Sequence, residues 1–167
     1  LEPMRAQERA ALEGDVVAIH EERTRPNVSE GSGASESLSV QSLDEALDLI
    51  SRAIAVNKRV PEFQNNLGNI YLAQGKLEEA ASCYRKALKL NPKYAEAHNN
   101  LGNVLKDQGK LEEAIASYRR ALRLDPASAD IHNNLGLALT MAIRFEEAVS
   151  AYRKAIRLRA DFFEAYN

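Results

Sequence analysis

The sequence predicts an all-α protein, an α-solenoid built by stacking antiparallel helix pairs. Three observations carry this reading. Asn-Asn-Leu-Gly occurs at 65–68, 99–102 and 133–136, Glu-Glu-Ala at 78–80, 112–114 and 146–148, and Tyr-Arg at 84–85, 118–119 and 152–153. Each motif returns after 34 residues with no insertion, the mark of a repeat architecture. Inside each repeat the apolar residues fall at helical spacing, as in Leu77, Ala80, Ala81, Tyr84, Ala87 and Leu88, and no segment alternates as a strand would.

Read in order, the chain starts with a segment, 1–26, in which Ala6, Ala10, Ala11 and Leu12, then Val16, Val17 and Ile19, could form helix around an interruption at Gly14-Asp15. Three readings stand for it: a displaced first helix packed on 42–57, a separate docking segment, or a largely unstructured stretch. Residues 27–40 carry Gly31, Gly33 and five serines, the composition of a flexible linker. Over 41–60, Leu43-Asp44-Glu45-Ala46 aligns with Leu77-Glu78-Glu79-Ala80, so this stretch reads as the second helix of a partial repeat. Full repeats follow at 61–94, 95–128 and 129–162, and 163–167 reads as the start of another.

Each full repeat divides into two helices. Acidic pairs such as Glu78-Glu79 open the second helix and basic residues such as Lys86 and Lys89 close it, matching the helix dipole at both ends. Pro92 and Pro126 stop that helix, and Gly75 and Gly109 suit a left-handed residue ending the first one. The third repeat departs twice. Ile143 replaces the turn glycine, where a β-branched residue is costly, so an adjusted turn is expected. Ala160 replaces the proline.

The composition excludes several function classes. Twenty-two basic against twenty-four acidic residues give a net charge of −2, with no basic surplus for nucleic acid and no polybasic run for anionic lipid. No apolar run is long enough for a membrane span, and the start lacks a signal-peptide pattern. One cysteine, Cys83, cannot form an internal disulfide, which favours a reducing compartment, cytoplasmic or nuclear. Cys83 falls among core positions as an inert thiol. The Glu-Glu pairs are helix-start charges. His98 and His132 lack companion ligands for a metal and read as packing or rim residues. No catalytic constellation or phosphate loop is evident, and no cofactor is expected.

The pattern resembles the tetratricopeptide repeat family. Counting Pro61 as position 1, the family residues are Leu67, Gly68, Tyr71, Ala80, Tyr84, Ala87 and Pro92. They continue as Leu101, Gly102, Ala114, Tyr118, Ala121 and Pro126, and as Leu135, Gly136, Ala148, Tyr152 and Ala155. The resemblance implies a right-handed superhelix whose first helices line a concave groove. It places Asn65, Asn66 and Asn69, then Asn99, Asn100, Asn103 and Lys106, then Asn133 and Asn134 on that groove, with Glu62, Glu96 and Asp130 at its edge.

Asparagine is a mediocre interior helix residue, so two adjacent ones in every repeat call for a reason. A side-chain amide offers a donor and an acceptor, and one amide per repeat could grip an extended peptide backbone. Asn66, Asn100 and Asn134 match the asparagine ladder of the O-linked N-acetylglucosamine transferase family. The family's carboxylate clamp fits poorly, because Asn65, Asp130 and Asn134 stand where basic residues are needed. The plainer account is that the asparagines bond neighbouring helices. The expected function is therefore a non-enzymatic scaffold for extended or disordered protein segments, with side chains such as Asn100 exposed in the free groove. Two alternatives stand beside it: the substrate-recruiting arm of a larger enzyme such as a glycosyltransferase, and a self-assembly module. The latter would form homo-oligomers through uncapped repeat ends or by exchange of residues 1–26.

Overall fold

The computed structural model describes the backbone of residues 34–165 and the side chains of 41–160. The 1–26 segment, the first part of the 27–40 stretch and residues 166–167 lie outside the described residues. Seven helices are described: α1 (Ala34–Val56), α2 (Pro61–Ala73), α3 (Leu77–Leu90), α4 (Ala95–Asp107), α5 (Leu111–Leu124), α6 (Ala129–Met141) and α7 (Phe145–Ala165). Each packs on its successor, most extensively within the pairs α2–α3, α4–α5 and α6–α7. Consecutive first helices also meet, α4 touching α6 directly, which puts the first helices on the inner side of the stack.

The small residues set the spacing within each pair. A Cβ added at Gly102 would lie 2.6 Å from the Tyr118 ring, so the missing side chain is what lets α4 and α5 approach. Tyr84 and Tyr118 fill this gap and are fully buried. Around them Ala80, Ala81, Ala114, Ile115, Leu101, Val104 and Leu105 form a core that continues into repeat three. A second cluster, Ala46, Ile50, Ala53, Phe63 and Ile70, joins α1 to α2.

The turns within the pairs are alike in all three repeats. Gly75 and Gly109 have φ of 73° and 74°. Their amides donate to Leu72 and Lys106, and the next amides reach back to Tyr71 and Leu105 at 2.9 and 2.8 Å. This pattern satisfies carbonyls that would otherwise be orphaned at the helix end. Ile143 does not adjust the turn as expected. It takes the left-handed conformation itself, φ 60°, with the Arg144 amide donating to Leu139 at 2.8 Å. Those bonds and the packing of α6 on α7 hold the backbone fixed, and the isoleucine side chain is left 75% exposed.

Two boundaries differ from the sequence reading. Helix α1 begins at Ala34, inside the stretch read as linker, directly after Gly33. Ala34, Glu36 and Leu38 are good helix formers, and the glycines that mark the linker all precede them. Helix α7 runs on through 160 to Ala165, so 163–167 does not open as a separate element over its described part. Proline ends the second helix in the other repeats, whereas Ala160 lets this one continue.

Candidate functional site

The asparagines make side-chain bonds from each first helix to the next, in one set per junction. Asn100 Nδ2 donates to Asn65 Oδ1 at 3.2 Å and to Asn69 Oδ1 at 3.4 Å. One repeat further on, Asn134 Nδ2 donates to Asn99 Oδ1 at 3.1 Å. The tyrosines that fill the glycine gaps hold the outer members: Tyr84 Oη donates to Asn69 Oδ1 and Tyr118 Oη to Asn103 Oδ1, both at 2.7 Å. Burial raises the Tyr118 hydroxyl far above its ordinary range, with the Asp107 carboxylate adding to it, so it remains a donor. In repeat three Leu137 replaces the third asparagine, and Tyr152 meets Thr140 at 3.4 Å instead.

The groove edge treats the first asparagine of each pair differently. Asn65 is fully buried and its Nδ2 donates to Glu96 Oε1 at 2.9 Å, so both ends of this amide are used inside the protein. Asn65, expected on the groove, is buried and ties repeat one to repeat two. Glu96 also hydrogen-bonds Tyr94. Burial raises that hydroxyl's pKa most, and the Glu96 and Glu62 carboxylates raise it further. At the next junction the shorter Asp130 pairs with Arg159 at 2.7 Å. Asn99 is accordingly half-buried, and accepts only from Asn134 among the described residues. Asn133 is exposed, with no bonded partner among the described residues.

The second asparagines differ as well. Asn66 is half-buried with no side-chain bond among the described residues. Asn100 is half-buried rather than exposed, and its nitrogen is engaged by two acceptors. Asn134 gives one bond and keeps its oxygen open. Lys106 is mostly covered and lies 3.2 Å from Asp107. Side-chain bonds thus bring Asn65, Asn69 and Asn100 together and Asn99 together with Asn134, while Asn103 is held by Tyr118 and Lys106 lies against Asp107. Sequence reasoning missed Tyr84, Tyr118 and Glu96 as holders of the amides. The signal was present in the constant fifteen-residue offset between each tyrosine and its asparagine.

A family model described as TPR repeat matches residues 68–109 and 102–141, and one described as Tetratricopeptide repeat matches 129–161. These spans run over more than half of the chain. The chain belongs to the tetratricopeptide repeat family. Among solved structures, a crystal structure of MamA superposes on this TPR array with a TM-score of 0.70 at 21% identity, covering 76% of this chain and 74% of that one. A C2 form of MamA MSR-1 gives a TM-score of 0.64 at 26% identity, with 74% and 71% covered. A P212121 form of MamA AMB-1 gives 0.64 at 26% identity, with 74% and 67% covered. Comparison with curated proteins returns no match.

The histidines meet the turns that enter their repeats. His98 Nε2 is 3.0 Å from the Pro92 carbonyl and His132 Nε2 3.2 Å from that of Pro126, so each pins the turn that enters its repeat. Cys83 is buried, which raises its thiol pKa; Lys86 opposes the shift and Glu79 adds to it. Among the described residues no group of three or more His, Cys, Asp or Glu could hold a metal ion, and no helix is long and apolar enough to cross a membrane.

Proposed function

We propose that this TPR array is a scaffold that binds extended protein segments along its inner face by their backbone. The family supports the general role, protein–protein interaction. The observation that carries the finer one is the asymmetry of the Asn100 amide: its nitrogen is tied inward to Asn65 and Asn69, while its oxygen has no partner among the described residues. Asn134 repeats the arrangement one step on. A row of held, unbonded amide oxygens presents acceptors to peptide N–H groups at low ordering cost. This refines the sequence reading, in which each amide used both its ends on the ligand. Asn66 and Asn133 keep whole amides for that purpose. A partner ordered on binding gives modest affinity per area, so micromolar complexes are expected. The reading is tested by peptide-display selection against the whole chain beside the Asn66→Ala/Asn134→Ala variant. Extended peptides captured by the parent and lost from a folded variant support it; equal capture by both defeats it.

A second reading, self-assembly through an uncapped repeat end, rests on the outer face of α7. Val149 is 47% exposed, whereas its counterparts Ala81 and Ile115 are 0% and 1% exposed beneath the following helix. Phe145 and Ile156 are exposed on the same helix. A face of this kind is completed by another repeat, from this chain or a second copy. A sedimentation mass that stays monomeric from micromolar to hundreds of micromolar concentration would remove the second-copy version.

A further inference from the structure

A separate cleft of about 320 Å³ lies between the first turn of α4 and the C-terminal half of α5, lined by Pro92, His98, Arg120, Arg123 and Leu124. Arg120 and Arg123 stand one turn apart, so their side chains are neighbours on the helix surface. Neither is in an ion pair or hydrogen bond among the described residues. Arg119, Arg144 and Arg159, by contrast, pair with Glu147, Glu112 and Asp130. No carboxylate lines the cleft.

His98 completes it. His98 is only 9% exposed as a residue. Its Nε2 faces the Pro92 carbonyl, which can only accept, so Nε2 carries the proton. Nδ1 is then a bare lone pair, buried and without a partner. An unsatisfied buried polar atom is costly, and its residue shares the cleft lining with Arg120 and Arg123. The equivalent positions in repeat one hold Gln64, Lys86 and Lys89, and in repeat three the half-buried His132 with Lys154 and Arg157. Of the three full repeats, the second alone joins two guanidiniums to a buried imidazole.

We propose that this cleft binds a phosphoryl group, carried on a protein side chain or on a small molecule, with Arg120 and Arg123 as its donors and His98 in the cleft wall. Guanidinium forks match phosphate oxygens in geometry, and a dianion balances the two charges. Burial lowers the His98 pKa most, the Pro92 bond raises it, and Arg120 and Arg123 lower it further. A bound phosphate cancels the two arginine charges and raises the His98 pKa.

The probes are inorganic phosphate and a phosphoserine peptide with its unphosphorylated twin, titrated into the whole chain while the His98 and His132 ring resonances are followed by NMR. Saturable shifts at His98, a raised His98 pKa at saturation and at least tenfold weaker binding by Arg120→Gln/Arg123→Gln are expected, with His132 as the unresponsive internal control. Tighter binding of the phosphopeptide than of phosphate assigns the group to a partner protein; equal binding assigns it to a free phosphate compound. Linear or absent shifts at His98, equal shifts at His132, or an unchanged response in the double variant would overturn the proposal.

Discussion

Replacing Ile143 with glycine is expected to stabilise the protein, although it removes a large apolar side chain. The residue sits at φ 60° in a turn whose equivalents are both glycine. A left-handed conformation costs a residue with a Cβ about 1–2 kcal/mol. Glycine restores freedom to the unfolded chain, which offsets about 0.5–1 kcal/mol of that gain. Little burial is lost, since Ile143 is 75% exposed, and the turn's bonds from the 143 and 144 amides are made by backbone and survive. The net expectation is a gain of about 0.5–1 kcal/mol, or roughly 2–3 °C in Tm for a chain of this size. The reciprocal change, Gly109→Ile, should lose a similar amount, because a Cβ there meets nothing within 4 Å and the penalty is backbone strain alone. Urea unfolding followed by circular dichroism reads both, with an unchanged slope required for comparison. Marked destabilisation by Ile143→Gly, or a neutral Gly109→Ile, would refute the argument.

Gly102→Ala should cost about 2–3 kcal/mol, because the new methyl meets the buried Tyr118 ring at 2.6 Å; thermal unfolding measures it. Asn65→Ala should lose about 2–3 kcal/mol, since it strips two bonds and leaves the Glu96 carboxylate short of a donor, while Asn133→Ala should stay within about 0.5 kcal/mol. The lowered pKa of His98, caused chiefly by burial, means that the unfolded chain binds its proton more readily. Stability should therefore fall as pH drops below about 6.5, and His98→Gln should flatten that part of the pH–stability curve relative to the parent.

Much of this architecture is legible before any coordinates. The period placed all three helix pairs, and the glycines at 75 and 109 marked left-handed turns that the φ values bear out. What the sequence concealed has physical causes. Across 27–40 the glycines and serines outweigh the helix formers after Gly33, so composition hides the helix that starts at Ala34. At Ile143 residue preference lost to the tertiary constraint of two packed helices, which imposes the turn whatever the side chain. The asparagine pairs were visible as a pattern, but identical residues took different roles. Asn65 is sealed by Glu96, whereas Asn99 is not, because Asp130 is one methylene shorter and is drawn to Arg159. Such differences depend on reach and burial, which spacing alone does not encode.

In the proposed function the inner face holds peptide N–H groups through the oxygens of Asn66, Asn100 and Asn134. The most direct test takes a peptide selected on the whole chain and methylates its backbone nitrogens one at a time, measuring Kd by fluorescence anisotropy. A periodic loss of at least tenfold is expected at the amides that face the row, while alanine changes at the same residues have little effect. The reverse pattern, indifference to N-methylation with strong dependence on side chains, would contradict the account.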